Sequence, residues 1–135
     1  MRLRSKGPYL GFLMINLVGF SSYAEIYVIA HPQVTLTSKD IKEIYTGEKQ
    51  SSGTLRLTPV DNAAAIEEFA QKVLNKPKLK YEIDWQKKSF RDGTSPPVTK
   101  ANDVEVSAFV KSTEGAVGYI SSTPPAGVTI VQKFP

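Results

Sequence analysis

Five apolar residues in a row, Ile26-Tyr-Val-Ile-Ala30, stop abruptly at His31-Pro32. A strand that is apolar at every position, and not only at alternate ones, must be covered on both faces. That requirement points to a layered α/β fold, because a sheet with one wet face would show alternation. The residues that follow supply the covering helices. Thr37-Ser-Lys-Asp40 is a capping-box-like start, with Asp where Glu is usual, ahead of Ile41, Ile44 and Tyr45 at helical spacing. Gly47 closes this short helix, and the loop Glu48 to Thr54 is polar, with Ser51, Ser52 and Gly53 as breakers. Leu55 to Val60 alternates and predicts a second strand, in which Pro59 has to sit near an end or at a sheet edge.

The strongest helical period is Ile66, Phe69, Ala70, Val73 and Leu74, with Asp61 or Asn62 as its cap, Glu67 and Glu68 near its positive end, and Lys72 and Lys76 near its negative end. Asn75 to Pro77 breaks it. A third helix is expected from Lys78 to about Phe90, with Leu79, Ile83 and Phe90 on one side and Tyr81 and Trp85 nearby; aromatic residues at this spacing more often fill a core than form a stacking platform. Asn102-x-x-Glu105 opens a fourth helix burying Val106, Phe109 and Val110, with Gly115 as its left-handed cap. Ala116–Ile120 and Val128–Gln132 are the last strands. Ser121 to Gly127 is too short for a helical crossover, which predicts that these two strands are antiparallel neighbours. Gly118, inside a strand, suggests close approach of another backbone. The order β-α-β-α-α-α-β-β reads as one α/β layer structure whose early βα units are parallel.

Charge has to be located before it is interpreted. The chain of 135 residues has 17 Lys and Arg against 13 Asp and Glu. Arg2, Arg4 and Lys6 precede an uncharged, mostly apolar run from Gly7 to Phe20, and Ser22 and Ala24 stand at the spacing a signal peptidase requires. Residues 1–24 therefore read as a secretory signal peptide, shorter than a bilayer span, with a mature domain of 25–135 exported to the periplasm and carrying no membrane span. Without the three leader cations the net charge is only +1, which removes the main support for nucleic-acid binding. What remains is uneven: Lys72 to Lys100 carries +5 and the rest −4, either a solvated helix face or a surface that steers an acidic partner. Zero Cys excludes disulfides, thiolate metal sites and thiol catalysis, and a lone His31 excludes a multi-histidine site. No cofactor fingerprint and no convergent catalytic constellation is present, so an enzyme is not expected.

Several strings together carry a family resemblance: Leu36-Thr-Ser-Lys-Asp-Ile-Lys-Glu-Ile-Tyr-Thr-Gly47, Pro59-Val-Asp61, Glu68-Phe69, Trp85 with Phe90 and Gly93, Pro96-Pro97, and Gly115-Ala-Val-Gly-Tyr-Ile120. They resemble the phosphate-type periplasmic substrate-binding proteins of ABC transporters, in a compact single-lobe form. The resemblance implies a three-layer lobe of the type II binding-protein fold, with a mixed, mostly parallel sheet flanked by helices. It also implies an oxyanion site at the helix start after the second strand, where the family has Ser-Gly-Thr helped by an Arg a few residues earlier. Here that stretch reads Asn62-Ala63-Ala64-Ala65, so the hydroxyls and the cation are missing and only the backbone N–H groups of Ala63, Ala64 and Ala65 remain to hold an anion.

A ligand face at the carboxyl ends of parallel strands nominates His31, Asp61, Asn62, the three alanines, and Arg91 and Thr94 from the loop after the third helix. Each has a plainer reading beside it. Asp61 and Asn62 serve as helix caps, His31 as a turn residue, and Arg91 as a partner of Asp92 or of the helix end. The expected function is a solute-binding-like protein for phosphate or a related oxyanion, serving an ABC-type uptake or sensing system through a membrane transporter or sensor protein. The alternative is a pocketless lobe that docks a partner protein.

Overall fold

A computed structural model describes residues 25–135; the expected signal peptide lies outside the described residues. The elements run β1 (Ile26–Ala30), α1 (Ser38–Tyr45), β2 (Ser51–Ser52), β3 (Leu55–Arg56), β4 (Thr58–Asn62), α2 (Ile66–Leu74), α3 (Lys78–Asp92), β5 (Val98–Lys100), α4 (Asp103–Ser112), β6 (Ala116–Ile120) and β7 (Thr129–Phe134). β2 and β3 form a small separate hairpin, so the stretch expected as one strand breaks at Leu57 and only β4 enters the main sheet. That sheet has the order β5-β4-β6-β1-β7.

Four of its strands share one direction, and β1 alone opposes them. β4 is parallel to β5 and β6, whereas β1 is antiparallel to β6 and β7. The early strands β1 and β4 are therefore neither adjacent nor parallel. β6 and β7 are not antiparallel neighbours either, because β1 lies between them and they run the same way. Their connection is a crossover without a helix. The eight residues 121–128 between them can span more than about 20 Å, enough to step over β1 and return along it. This segment runs beside α4, from Ser122, whose hydroxyl donates to Asp103 at 2.8 Å, to Gly127, packed against Lys111.

β1 is covered on both sides, as its composition demands. Ile26, Val28 and Ala30 join Val117 and Tyr119 under α1, α2 and α3, where Ile41, Ile44, Tyr45, Phe69, Val73, Tyr81 and Trp85 complete one core. Ile29, Val60, Ala116 and Ile120 face the other way and meet Val106 and Val110 of α4. The result is three layers: three helices, a mixed and mostly parallel sheet, and one helix. Phe69 stacks on Tyr119 at 3.8 Å between ring centroids, and Tyr45 meets Phe69 edge-on at 4.8 Å, which locks α1 and α2 to β6. α3 buries Tyr81 and Trp85 but turns Leu79, Ile83 and Phe90 outward, Phe90 with 95% of its surface exposed.

The glycines of the β6 segment have different roles from those expected. α4 ends at Thr113 in extended geometry, so Gly115 is not its left-handed cap. Gly115 has φ +83° because the backbone of Arg56 passes where a Cβ would stand, and its carbonyl accepts the N–H of Thr58 at 2.8 Å. At Gly118 the close approach comes from side chains, not from a backbone: a Cβ would lie 2.7 Å from Val106 Cγ1 and 3.2 Å from Val110 Cγ2. α4 lies this close to the sheet because β6 has no side chain there. Gly118→Ala is expected to cost about 1–3 kcal/mol of stability through overpacking, measured by urea unfolding, and Val106→Ala in the same chain should recover part of the loss. A neutral Gly118→Ala would show that α4 moves freely.

Candidate functional site

Asp61 and Asn62, the last two residues of β4, are buried. Asp61 accepts a bifurcated hydrogen bond from the Tyr81 hydroxyl at 3.0 and 3.1 Å and one from the Tyr119 hydroxyl at 2.8 Å. Burial pushes its carboxyl up to about 6, against the opposing pull of the Tyr119 and Tyr81 hydroxyls. Asn62 Nδ2 donates to Asp103 Oδ1 at 2.7 Å and to the Tyr119 carbonyl at 3.0 Å, while its Oδ1 accepts the N–H of Ala64 at 3.0 Å. Both donors and the acceptor of this amide are thus used inside the fold. Neither residue caps α2: the N-cap is Ala65, which offers no side-chain acceptor.

The amides expected to hold an anion are engaged as well. Ala63 donates to the Lys100 carbonyl at 2.8 Å, Ala64 to Asn62 Oδ1, and Ala65 to the Asn62 carbonyl at 3.0 Å. Ala63 and Ala64 are exposed, but their N–H groups do not point to solvent. The first turn of α2 carries Glu67 and Glu68, which already complement its positive end. No free donor of the expected kind therefore stands at Ala63–Ala65, and Glu67 and Glu68 in the adjoining helical turn disfavour an anion there.

The remaining nominated residues lie at the opposite end of β4. His31 donates its N–H to the carbonyl of Ala116, the first residue of β6, and Ala116 is in register with Thr58, the first residue of β4. β1 runs against its neighbours, which places His31 at the wrong end for the ligand face. Its Nδ1 accepts the N–H of Gln33 at 3.2 Å, a turn-building contact. Arg91 is exposed, 4.0 Å from Asp92, beside Lys87 and Glu48 in a shallow depression. Thr94 lines a cleft of about 320 Å³ at the start of β4.

This cleft forms where the loop after α1, the β2–β3 hairpin and the end of α3 meet. Lys49, Gln50, Arg56, Thr94 and Ser95 supply polar groups around its walls, with Trp85 against one side. Asp92 also lines it, but that carboxylate is engaged: the Thr94 hydroxyl and N–H and the Lys88 ammonium hold its pKa down at about 2. Gly47, at φ +81°, lets the Lys88 stem and Trp85 pack against the loop, where a Cβ would collide with both. Lys49, Gln50, Arg56 and Ser95 are not among the residues that the sequence nominates. The alternation Leu55-Arg56-Leu57 marked Arg56 as outward-facing, but nothing local shows that residues near 50 and near 94 meet.

Asp61 makes stability depend on pH. Its pKa rises from an ordinary 3.8 to about 6 on folding, so its stabilising contribution is complete below about pH 4 and is lost as pH rises through 6. The stability of the wild type relative to Asp61→Asn is expected to fall by on the order of 2–3 kcal/mol between pH 4 and 7, measured by denaturant titration. A difference independent of pH would show an ordinarily ionised carboxylate.

No protein-family model and no curated protein sequence matches the chain. Solved structures do share its fold. An ABC-type phosphate transport receptor from Vibrio cholerae matches with a TM-score of 0.50 at 14% identity, over 86% of this chain and 53% of that one. A putative phosphate ABC transporter substrate-binding protein from Clostridium perfringens, solved with bound phosphate, matches with a TM-score of 0.52 at 21% identity, over 81% of this chain and 45% of that one. The chain spans about half the length of these two proteins. At this identity the likeness is one of fold: a mixed, mostly parallel sheet between helices, as in a phosphate substrate-binding protein.

Proposed function

We propose that this chain is an exported, single-lobe solute-binding-like protein of the periplasm, taking phosphate or a related oxyanion for an ABC-type uptake or sensing system. The observation that carries the reading is the shared architecture, since both neighbours are named as phosphate transport proteins. An open cleft lined by Lys49 and Arg56 supplies positive charge and hydrogen-bond donors of the kind a tetrahedral anion requires. Binding adds stability as RT ln(1 + [L]/Kd), about 2.7 kcal/mol at a hundredfold excess over Kd. Phosphate or sulfate should therefore raise the melting temperature and give heat in calorimetry, and neither effect with either ion would end this reading.

One observation favours a second reading, a lobe that docks a partner protein. Leu79, Ile83 and Phe90 form an exposed apolar line on α3, with Lys80, Lys87 and Arg91 on the adjoining surface of the same helix. On this reading a periplasmic extract yields a partner retained by the wild type and lost with Leu79→Ser plus Phe90→Ser, while the melting temperature stays unchanged. Equal retention by both would exclude α3 as the contact.

A further inference from the structure

The family resemblance puts the anion at the start of α2, but the hydrogen bonds of this chain leave no donor for it at Ala63–Ala65. Resting on the oxyanion reading above, we propose that a phosphate group, free or carried on a small polar molecule, binds instead in the cleft at the start of β4, with Arg56 and Lys49 supplying its charge. Arg56 is exposed, and among the described residues no carboxylate pairs with its guanidinium. Lys49 reaches Asp40 only at 3.9 Å, a long, partly solvated pair. Among the described residues the one carboxylate lining the cleft, Asp92, is taken by Lys88 and Thr94, so it does not neutralise Arg56. The charge left for a ligand is positive. Ser95 adds a hydroxyl, and Gln50, whose Nε2 already donates to the Gly47 carbonyl at 3.3 Å, keeps a second amide hydrogen for a phosphate oxygen or for a hydroxyl of a carrier.

Its volume of about 320 Å³ exceeds what a bare ion fills and leaves room for a small carrier of the phosphate group. The only tryptophan of the chain, Trp85, lines the cleft and is fixed there by its Nε1–H donating to the Tyr45 carbonyl at 3.0 Å. Its emission therefore reports on this site and not on the start of α2.

The protein expressed from its full chain is titrated with inorganic phosphate, glycerol 3-phosphate and neutral glycerol, followed by Trp85 fluorescence and calorimetry. Phosphate or glycerol 3-phosphate should bind and change the emission, and glycerol should not. The Lys49→Gln plus Arg56→Gln variant should weaken binding at least tenfold with an unchanged melting temperature, while Ala64→Glu, which sets a carboxylate at the start of α2, should leave it intact. Tighter binding of glycerol 3-phosphate would identify a carried phosphate; equal or weaker binding would identify the free ion. If binding survives the double variant but is lost in Ala64→Glu, the cleft assignment falls and the oxyanion reading stands. If the wild type binds neither phosphate compound, both fall.

Discussion

The parting of β4 from β6 governs this molecule. The two strands are in register only at Thr58 with Ala116 and Pro59 with Val117. Pro59 has no N–H to give, and the backbone groups beyond it still need partners because they are buried. Side chains provide them. The Tyr45 hydroxyl donates a bifurcated bond to the carbonyls of Val60 and Val117 at 2.9 and 3.1 Å, and Asn62 donates to the carbonyl of Tyr119. α1 is thereby pinned over the seam from one side. Asp103, at the start of α4, accepts from Asn62 and holds the other side.

That seam explains why the residues most expected to bind a ligand do not present themselves. Asp61 and Asn62 stand where the parallel strands end, the usual place for a ligand in an open α/β sheet. Here the same position has to close a gap between strands, and closing it uses all the polar capacity of Asn62. The adjoining turn consumes the three alanine amides in the same way. Asp103 shows how tightly the corner is tied: partial burial works to raise its carboxyl, yet the Ser122 hydroxyl, the Asn62 amide and the Ser121 N–H and hydroxyl hold it below the ordinary carboxylate range. A corner with this many internal bonds is a structural joint.

Local chemistry was legible and pairing was not. The unbroken apolar run of β1 announced a strand covered on both faces, the period from Ile66 to Leu74 marked α2, and Asn102-x-x-Glu105 marked the start of α4, where Asn102 accepts the N–H of Glu105 at 3.0 Å. The direction of β1 was hidden, because an apolar run reads the same whether its neighbours are parallel or antiparallel, and His31 was misplaced as a consequence. On α3 the period placed Leu79, Ile83 and Phe90 on one side correctly, but which side faces the core was decided by Tyr81 and Trp85, whose polar atoms had partners waiting at Asp61 and at the Tyr45 carbonyl. A buried aromatic with a satisfied polar tip displaced three purely apolar residues from the interior. The cleft was hidden for a similar reason, since its walls come from residues 44–59 and 85–95, which no local pattern brings together.

α3 then sets the physical character of the cleft proposed as the binding site. One helix gives its Tyr81 to the β4 seam, its Trp85 to the cleft wall, its C-terminal turn to the Asp92–Thr94 rim and its outer face to solvent. The cleft it borders is open to solvent, with Arg56 exposed and Lys49 partly so. Charges in contact with water interact through a high effective dielectric and are screened by salt within about 8–10 Å. An anion held there would gain far less per contact than one enclosed between two closing walls, where the same hydrogen bonds act in a drier medium. On the proposed reading, binding at this cleft is weak, rapidly exchanging and sensitive to salt. Tight capture at such a cleft would require a second surface that closes over it and excludes water.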